Sequence, residues 1–250
     1  MINFSLPTQP PTDSDIHVWY ASLNGTAHEL SRYRSLLSQD ETDRAMRFVF
    51  EKDRNHYIVG RGLLRTILGG YLGLEPAQLT FVYGPHGKPA LQSGQSAQAI
   101  EFNLSHSNDL VLYAFNLNRR IGVDVEYLIP MTDMDDFAEQ FFTPRESAWI
   151  NSLPGIQKED AFFKTWTCKE AFLKANGSGL TVPINQVEIS LKAEGTVELI
   201  AIGEDQEQAA NWHIEMFSPL PGYQAALAVE GHDGQIILRQ LDDHIGGMQR

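Results

Sequence analysis

Three acidic side chains, set in two short motifs far apart in the chain, carry the clearest chemistry in this sequence. The first motif is Ile121-Gly122-Val123-Asp124-Val125-Glu126. Read as a strand, its alternation turns Ile121, Val123 and Val125 into a core and leaves Gly122, Asp124 and Glu126 on the opposite face. Gly122, with no side chain, leaves space there for a ligand or for another stretch of backbone. The second motif, Phe162-Phe163-Lys164-Thr165-Trp166-Thr167-Cys168-Lys169-Glu170-Ala171-Phe172-Leu173-Lys174, has helical spacing that puts Trp166, Glu170 and Lys174 on one stripe. If Asp124, Glu126 and Glu170 converge, unit charges about 4 Å apart repel by roughly 4 kcal/mol per pair at an effective dielectric near 20. A cation or protons must then intervene. An all-oxygen donor set without His or Cys selects a hard ion, Mg²⁺ or alternatively Mn²⁺, and points to phosphate or pyrophosphate chemistry.

Two further segments supply groups suited to anions. Phe102-Asn103-Leu104-Ser105-His106-Ser107, at the end of a strand, can bring hydroxyls, amides and an imidazole to a phosphate. Gly84-Pro85-His86-Gly87-Lys88-Pro89 is a turn that projects Lys88, the one basic residue between Arg65 and Arg119. Cys168 reads as a small buried side chain rather than a nucleophile.

These groups need elements to hold them. Periodicity predicts a first strand over 16–23 and a helix opened by the capping-box spacing Ser38-Gln39-Asp40-Glu41. A long helix follows over 54–72, ended by Gly69, Gly70 and Gly73. Strands at 79–83, 100–105, 110–116 and 121–126 read as one antiparallel or mixed sheet. The plan then repeats. A helix over 134–142 is followed by one opening at Thr143-Pro144-Arg145-Glu146 and by a long one over 158–176 stopped by Gly177. Strands at 187–192, 197–201, 212–217, 223–230 and 236–241 close the chain. Helices followed by a sheet, twice over, predict an α+β chain of two similar lobes, residues 1–120 and 121–250, with the metal-site strand at the boundary.

Composition narrows the function classes. The chain has 250 residues, with 19 Lys+Arg against 32 Asp+Glu and a formal net charge of −13. That balance opposes a general nucleic-acid or anionic-membrane binder. Yet residues 32–65 hold eight basic side chains against five acidic ones, a local candidate anion surface. A single cysteine, no long apolar run and no basic, apolar leader pattern give the expectation of a cytoplasmic protein outside the membrane.

Taken together and in order, GKP, NLSHS, GVDVE and WTCKEAFLKANGSGL resemble the 4′-phosphopantetheinyl transferases of the surfactin-synthetase-activating (Sfp) type, over roughly 44–230. Arg44-x-x-Arg47-Phe48, Gly60 to Arg65 and Phe141-Phe142-Thr143-Pro144-x-Glu146 add weaker matches. The resemblance implies a monomeric pseudo-dimer of two α+β lobes with coenzyme A in the cleft between them. It also implies transfer of the phosphopantetheine arm to a serine of an acyl or peptidyl carrier protein, with release of adenosine 3′,5′-bisphosphate. By the same resemblance Asp124, Glu126 and Glu170 hold Mg²⁺, Ser105 and His106 contact phosphate, Lys88 lies near the nucleotide and Arg44 helps hold the 3′-phosphate or nearby phosphate oxygens. Glu170, directly or through a bound water, is the general base, and Lys174 offsets charge on the leaving phosphate. Glu41 and Asp43, just before Arg44, are expected to weaken that phosphate site. Arg61 and Arg65 are assigned to bracing a helix.

Two rival readings share parts of this pattern. A D-x-E strand with E-x-x-x-K also describes a metal-dependent nuclease or phosphodiesterase, which would present a broad basic groove and salt-sensitive binding. A non-catalytic coenzyme A or carrier-binding module would tolerate loss of Glu170. Carriers are usually acidic, so docking is expected through the basic 32–65 segment beside the apolar loop 127–134. Which carrier of fatty-acid, polyketide or peptide synthesis is served is not encoded in these motifs.

Overall fold

The computed structural model describes residues 9–85, 87–96, 99–177, 182–192, 195–231 and 234–241. His86 and the Ser178-Gly179-Leu180 end of the long motif lie outside the described residues, as do the chain's first eight residues.

The chain runs through the same sequence of elements twice. The first half has β1 (Asp15–Ser22), α1 (Ala27–Arg34), α2 (Gln39–Ala45), α3 (Glu51–Leu72), the hairpin β2 (Phe81–Tyr83) and β3 (Pro89–Leu91), then β4 (Ile100–Ser107) and β5 (Leu110–Leu117). The second has β6 (Ile121–Tyr127), α4 (Met134–Phe141), α5 (Pro144–Asn151), α6 (Gly155–Asn176), the hairpin β7 (Val187–Leu191) and β8 (Val197–Ile202), a short α7 (Gln206–Ala209), then β9 (Trp212–Phe217) and β10 (Tyr223–Glu230). In each half the opening strand pairs antiparallel with the closing one, giving β1-β5-β4 and β6-β10-β9. A last strand, β11 (Gln235–Gln240), returns to pair parallel with β1. This is an α+β pseudo-dimer.

The matched long helices have matched ends. Both α3 and α6 have 22 residues, and each stops at a glycine in left-handed backbone, Gly73 and Gly177, where other residues are strained. Capping boxes open α2 (Ser38, Glu41) and α5 (Thr143, Glu146) as their sequences predict. A third box, Thr26 with Glu29, opens α1, an element the periodicity did not reveal because its eight residues are mostly polar.

Four layers result. One face of the first sheet packs Trp19, Tyr113 and Phe115 against α3 residues Leu64 and Ile67. The two sheets then meet face to face through Ile16, Val18, Leu112 and Ala114 from one and Ile121, Val123, Val125, Ala225 and Leu227 from the other. On the far side, Ala226 and Ala228 of β10 pack against Phe172 and Ala175 of α6. Helices α4 to α6 share a separate aromatic cluster around Phe142 and Phe162.

Two expectations need correction. Residues 121–127 do not join the first sheet; they open the second by pairing with β10, because the hydrophobic face Ile121, Val123, Val125 stacks on the first sheet rather than extending it. Residues 79–83 likewise leave that sheet to form a separate hairpin with β3. Among the described residues, no helix is long and apolar enough to cross a membrane.

Candidate functional site

The site forms where β4, β6 and α6 meet. The two sheets are not joined there by a backbone ladder. Side chains of β4 reach across instead, spaced two apart to match the pleat of β6. Asn103 Oδ1 accepts from the Val123 amide at 2.9 Å, Ser105 Oγ donates to Asp124 Oδ1 at 2.9 Å, and Ser107 Oγ donates to Glu126 Oε2 at 2.9 Å. Ser107 also accepts from the Tyr127 amide. Gly122 explains how α6 approaches: a Cβ there would lie 2.1 Å from the Ala171 carbonyl oxygen and 2.3 Å from the Ala175 nitrogen. The space it leaves is filled by another backbone, not by a ligand.

That approach lowers the α6 stripe onto the carboxylates. Trp166 Nε1 donates to Glu126 Oε1 at 3.2 Å, and Lys174 Nζ donates to Asp124 Oδ1 at 2.6 Å and to Ser105 Oγ at 2.8 Å. Glu170 accepts no hydrogen bond among the described residues. Burial raises the carboxyl pKa of both Glu126 and Glu170; Asp124 raises each further, and Glu126 adds to the effect on Glu170 while Lys174 opposes it. Glu126 and Glu170 therefore both feel the charge of Asp124.

Lys174 is the cation standing in this cluster. Among the described residues, no group of three or more His, Cys, Asp or Glu is arranged to hold a metal ion as it stands. The donor chemistry nevertheless fits one: all ligands are oxygens, and buried Asp124 Oδ2 has no hydrogen-bond partner, a deficit costing about 1–3 kcal/mol if nothing binds it.

A cavity of about 520 Å³ opens from this cluster toward the first half, lined by Arg44, His56, Tyr57, Lys88, His106 and Lys174 among others. Arg44 stacks over the Tyr57 ring at 5.7 Å and His106 opens into the same space, whereas Ser105 is turned to Asp124 and Lys174. Lys88 is no solubilising turn residue. Its Nζ donates to the main-chain oxygens of Ile121 at 3.0 Å and Lys174 at 2.8 Å, tying the turn to both β6 and α6, and burial lowers its pKa.

Of the acids before Arg44, Glu41 is 1% exposed and bonded to Arg61 Nε at 2.9 Å and Arg65 Nε at 2.7 Å. Arg61 and Arg65 brace α2 on α3, as expected. Cys168 is fully buried with its thiol pKa driven upward by burial, which removes it as a nucleophile. Asn103, Ser107, Trp166 and His56 were not singled out for roles from sequence. The period-two match of Ser105 and Ser107 to Asp124 and Glu126 is the signal that could have found Ser107.

Comparison with known proteins gives two family matches. Residues 120–228 match the 4′-phosphopantetheinyl transferase superfamily, and residues 21–118 match the family described as 4′-phosphopantetheinyl transferase, N-terminal. The 4′-phosphopantetheinyl transferase HetI of Nostoc sp. is 39% identical over 94% of this chain and 98% of its own. The 4′-phosphopantetheinyl transferase Sfp of Bacillus subtilis is 26% identical over 82% of this chain and 87% of its own. Among solved structures, a holo-(acyl-carrier-protein) synthase from Bacillus anthracis in complex with CoA is 25% identical, covering 45% of this chain and 96% of that one, with a TM-score of 0.38.

Proposed function

This chain belongs to the 4′-phosphopantetheinyl transferase superfamily, and from that premise we propose that it moves the phosphopantetheine arm of coenzyme A onto a serine of apo acyl or peptidyl carrier proteins. The observation that carries this reading is Lys174, which lines the cavity beside Arg44 and His106 and donates to Asp124 of the acidic cluster.

In the proposed reaction the serine oxygen bonds to the phosphorus bearing the pantetheine arm, and the bond from that phosphorus to the bridging oxygen breaks. Adenosine 3′,5′-bisphosphate leaves. Glu170, without a hydrogen bond among the described residues and raised in pKa by its surroundings, takes the serine proton. Lys174 is placed to stabilise charge on the departing phosphate, and Arg44 to hold the 3′-phosphate at the cavity's other end. Trp166 and Ser107 fix the Glu126 carboxylate, and Ser105 fixes Asp124. Asp124, Glu126 and Glu170 would hold Mg²⁺, or Mn²⁺, which when bound neutralises the carboxylates and polarises the phosphate. The protein would act as a cytoplasmic monomer of two lobes divided near residue 120, with β11 crossing back to the first.

Carrier docking is assigned to exposed apolar side chains beside basic ones. Met46, Val49 and Phe50, at 56%, 85% and 70% exposure, stand next to Arg44 and Arg47 in sequence. Tyr127, Leu128 and Ile129 are exposed just beyond Glu126. A basic and apolar margin of this kind suits an acidic carrier even though the whole chain is acidic.

The direct test is mass spectrometry of several apo carriers after incubation with coenzyme A and Mg²⁺. A phosphopantetheine adduct on serine is expected. Its absence from every carrier, with plasmid cleaved instead, would return the phosphodiesterase reading; coenzyme A bound without transfer would return the non-catalytic one.

A further inference from the structure

The cavity holds a second imidazole that the family resemblance does not assign. His56, on α3, lines it together with His106 of β4. The His56 side chain is 12% exposed, with Nε2 lying 3.6 Å from Asp109 Oδ1 and 3.4 Å from Asn24 Oδ1.

Charge accounting makes this imidazole informative. Coenzyme A presents a phosphomonoester and a diphosphate, on the order of three to four negative charges. Four permanent cations line the cavity, and three are already bonded within the protein: Arg61 to Glu41, Lys88 to two main-chain oxygens, and Lys174 to Asp124. Arg44, stacked on Tyr57, has no ion pair among the described residues. Lys88 donates only to neutral carbonyls, so among the described residues it and Arg44 are the two cavity cations without a carboxylate partner, a small counterweight to such a ligand in a chain of net charge −13.

The two histidines are the reserve. Burial lowers the pKa of both, which favours the neutral imidazole in the free protein. The groups facing His56 are Asp109 of the β4–β5 turn and Asp53 of its own helix, which favour a proton, and Lys52 and His106, which oppose one. Facing His106 are Lys174 of α6, which opposes a proton, and Asp53, which favours it. An arriving phosphate adds negative charge to both surroundings.

We propose that His56 is a second phosphate-binding side chain beside His106, and that both imidazoles hold coenzyme A as imidazolium ions, each taking a proton from solvent as the anion enters. This rests on the coenzyme A reading above. Burial on an ordinary structural histidine predicts no such coupling.

The experiment is calorimetric titration of the full chain with coenzyme A at pH 7, with metal chelated, in buffers of different ionisation enthalpy. Net proton uptake is expected. The Kd should weaken by about tenfold per pH unit for each proton taken up, between the free and bound imidazole values. His56→Gln and His106→Gln should each remove part of the uptake. Uptake from the ligand itself has the wrong sign, because a cationic site releases protons from a phosphomonoester. Uptake from Glu126 or Glu170 would survive both histidine variants, and that result would overturn the proposal, as would a binding enthalpy independent of buffer. Should a variant fail to fold, proton NMR of the wild-type chain decides: two of its eight histidines should rise in pKa on saturation with coenzyme A, while His17, packed on Tyr71 with its pKa lowered to about 4, stays fixed. No rise at any imidazole overturns the inference. Carrier modification without proton uptake would sink this proposal alone, whereas failure to bind coenzyme A with or without Mg²⁺ would sink the parent reading too.

Discussion

At the scale of single residues, the cluster assigns different tasks to acids that look alike in sequence. Asp124 is bonded to Ser105 and Lys174, Glu126 is held by Ser107 and Trp166, and Glu170 alone is left without a hydrogen bond among the described residues. Glu170 is therefore the proposed base. Glu170→Gln is expected to lower kcat by about 10²- to 10⁴-fold, measured by carrier modification, with the KM for coenzyme A little changed. Glu41 presents the opposite case, a carboxylate whose whole role is structural. Burial alone would raise its pKa, but Arg61 and Arg65 outweigh burial and hold it below the ordinary 4.5. Its stabilising contribution is therefore complete above pH 4.5 and is lost as pH falls through the lowered value. Glu41→Ala leaves two buried guanidiniums unpaired and should cost about 3–5 kcal/mol in denaturant unfolding at pH 7. At strongly acid pH the difference from wild type should shrink.

At the scale of elements, the pseudo-dimer repeats a brace as well as a topology. Two capping-box glutamates, Glu41 of α2 and Glu146 of α5, turn inward to a cation of the following long helix. Arg65 Nε donates to Glu41, and Lys169 Nζ lies 2.5 Å from Glu146 Oε2. Arg65 and Lys169 are each the fifteenth residue of their 22-residue helix. Glu146 further accepts from the Ile189 amide at 2.7 Å, so the second brace also fixes the β7–β8 hairpin. Lys169→Met is expected to destabilise the second half and loosen α6, next to Glu170, reading as lower Tm together with lower kcat. Gly122→Ala tests the approach of α6 to β6. A methyl group 2.1 Å from backbone oxygen cannot be relieved by a side-chain rotation, so helix and strand must separate. A loss beyond the usual 1–3 kcal/mol for overpacking is expected in thermal unfolding, with activity falling in parallel. An unchanged Tm would show that α6 and β6 are not packed this closely.

At the scale of the whole molecule, duplication is structural but chemistry is not duplicated. The residues of α3 matching Glu170 and Lys174 of α6 are Thr66 and Gly70, neither of which can bind a metal or a proton in the same way. In the proposed site one half would supply the acids and the other Arg44, His56, Lys88 and His106, which line one cavity with Lys174 of the second half. The charge distribution follows the same division. Reversing Arg47 and replacing Val49 and Phe50 by serine should raise the KM for an acidic carrier by about tenfold or more and weaken its salt dependence, with coenzyme A binding unchanged. Equal carrier kinetics would place the docking surface elsewhere.

The sequence by itself determined which residue types face together within each element, since that depends only on local geometry. The alternation in 121–126 put Asp124 and Glu126 on one face, the spacing of four aligned Trp166, Glu170 and Lys174, and capping boxes with glycine stops bounded the helices. Partner choice between elements was a different matter. Only the tertiary structure placed β6 with β10 rather than with the first sheet, filled the space above Gly122 with α6, and turned Glu41 away from Arg44 into a buried brace. The reason is physical: a strand's pattern states that one face is buried but not against which neighbour, and a charge's sign does not say what it will pair with. Those outcomes are settled by long-range packing, in which every contact depends on segments tens of residues away.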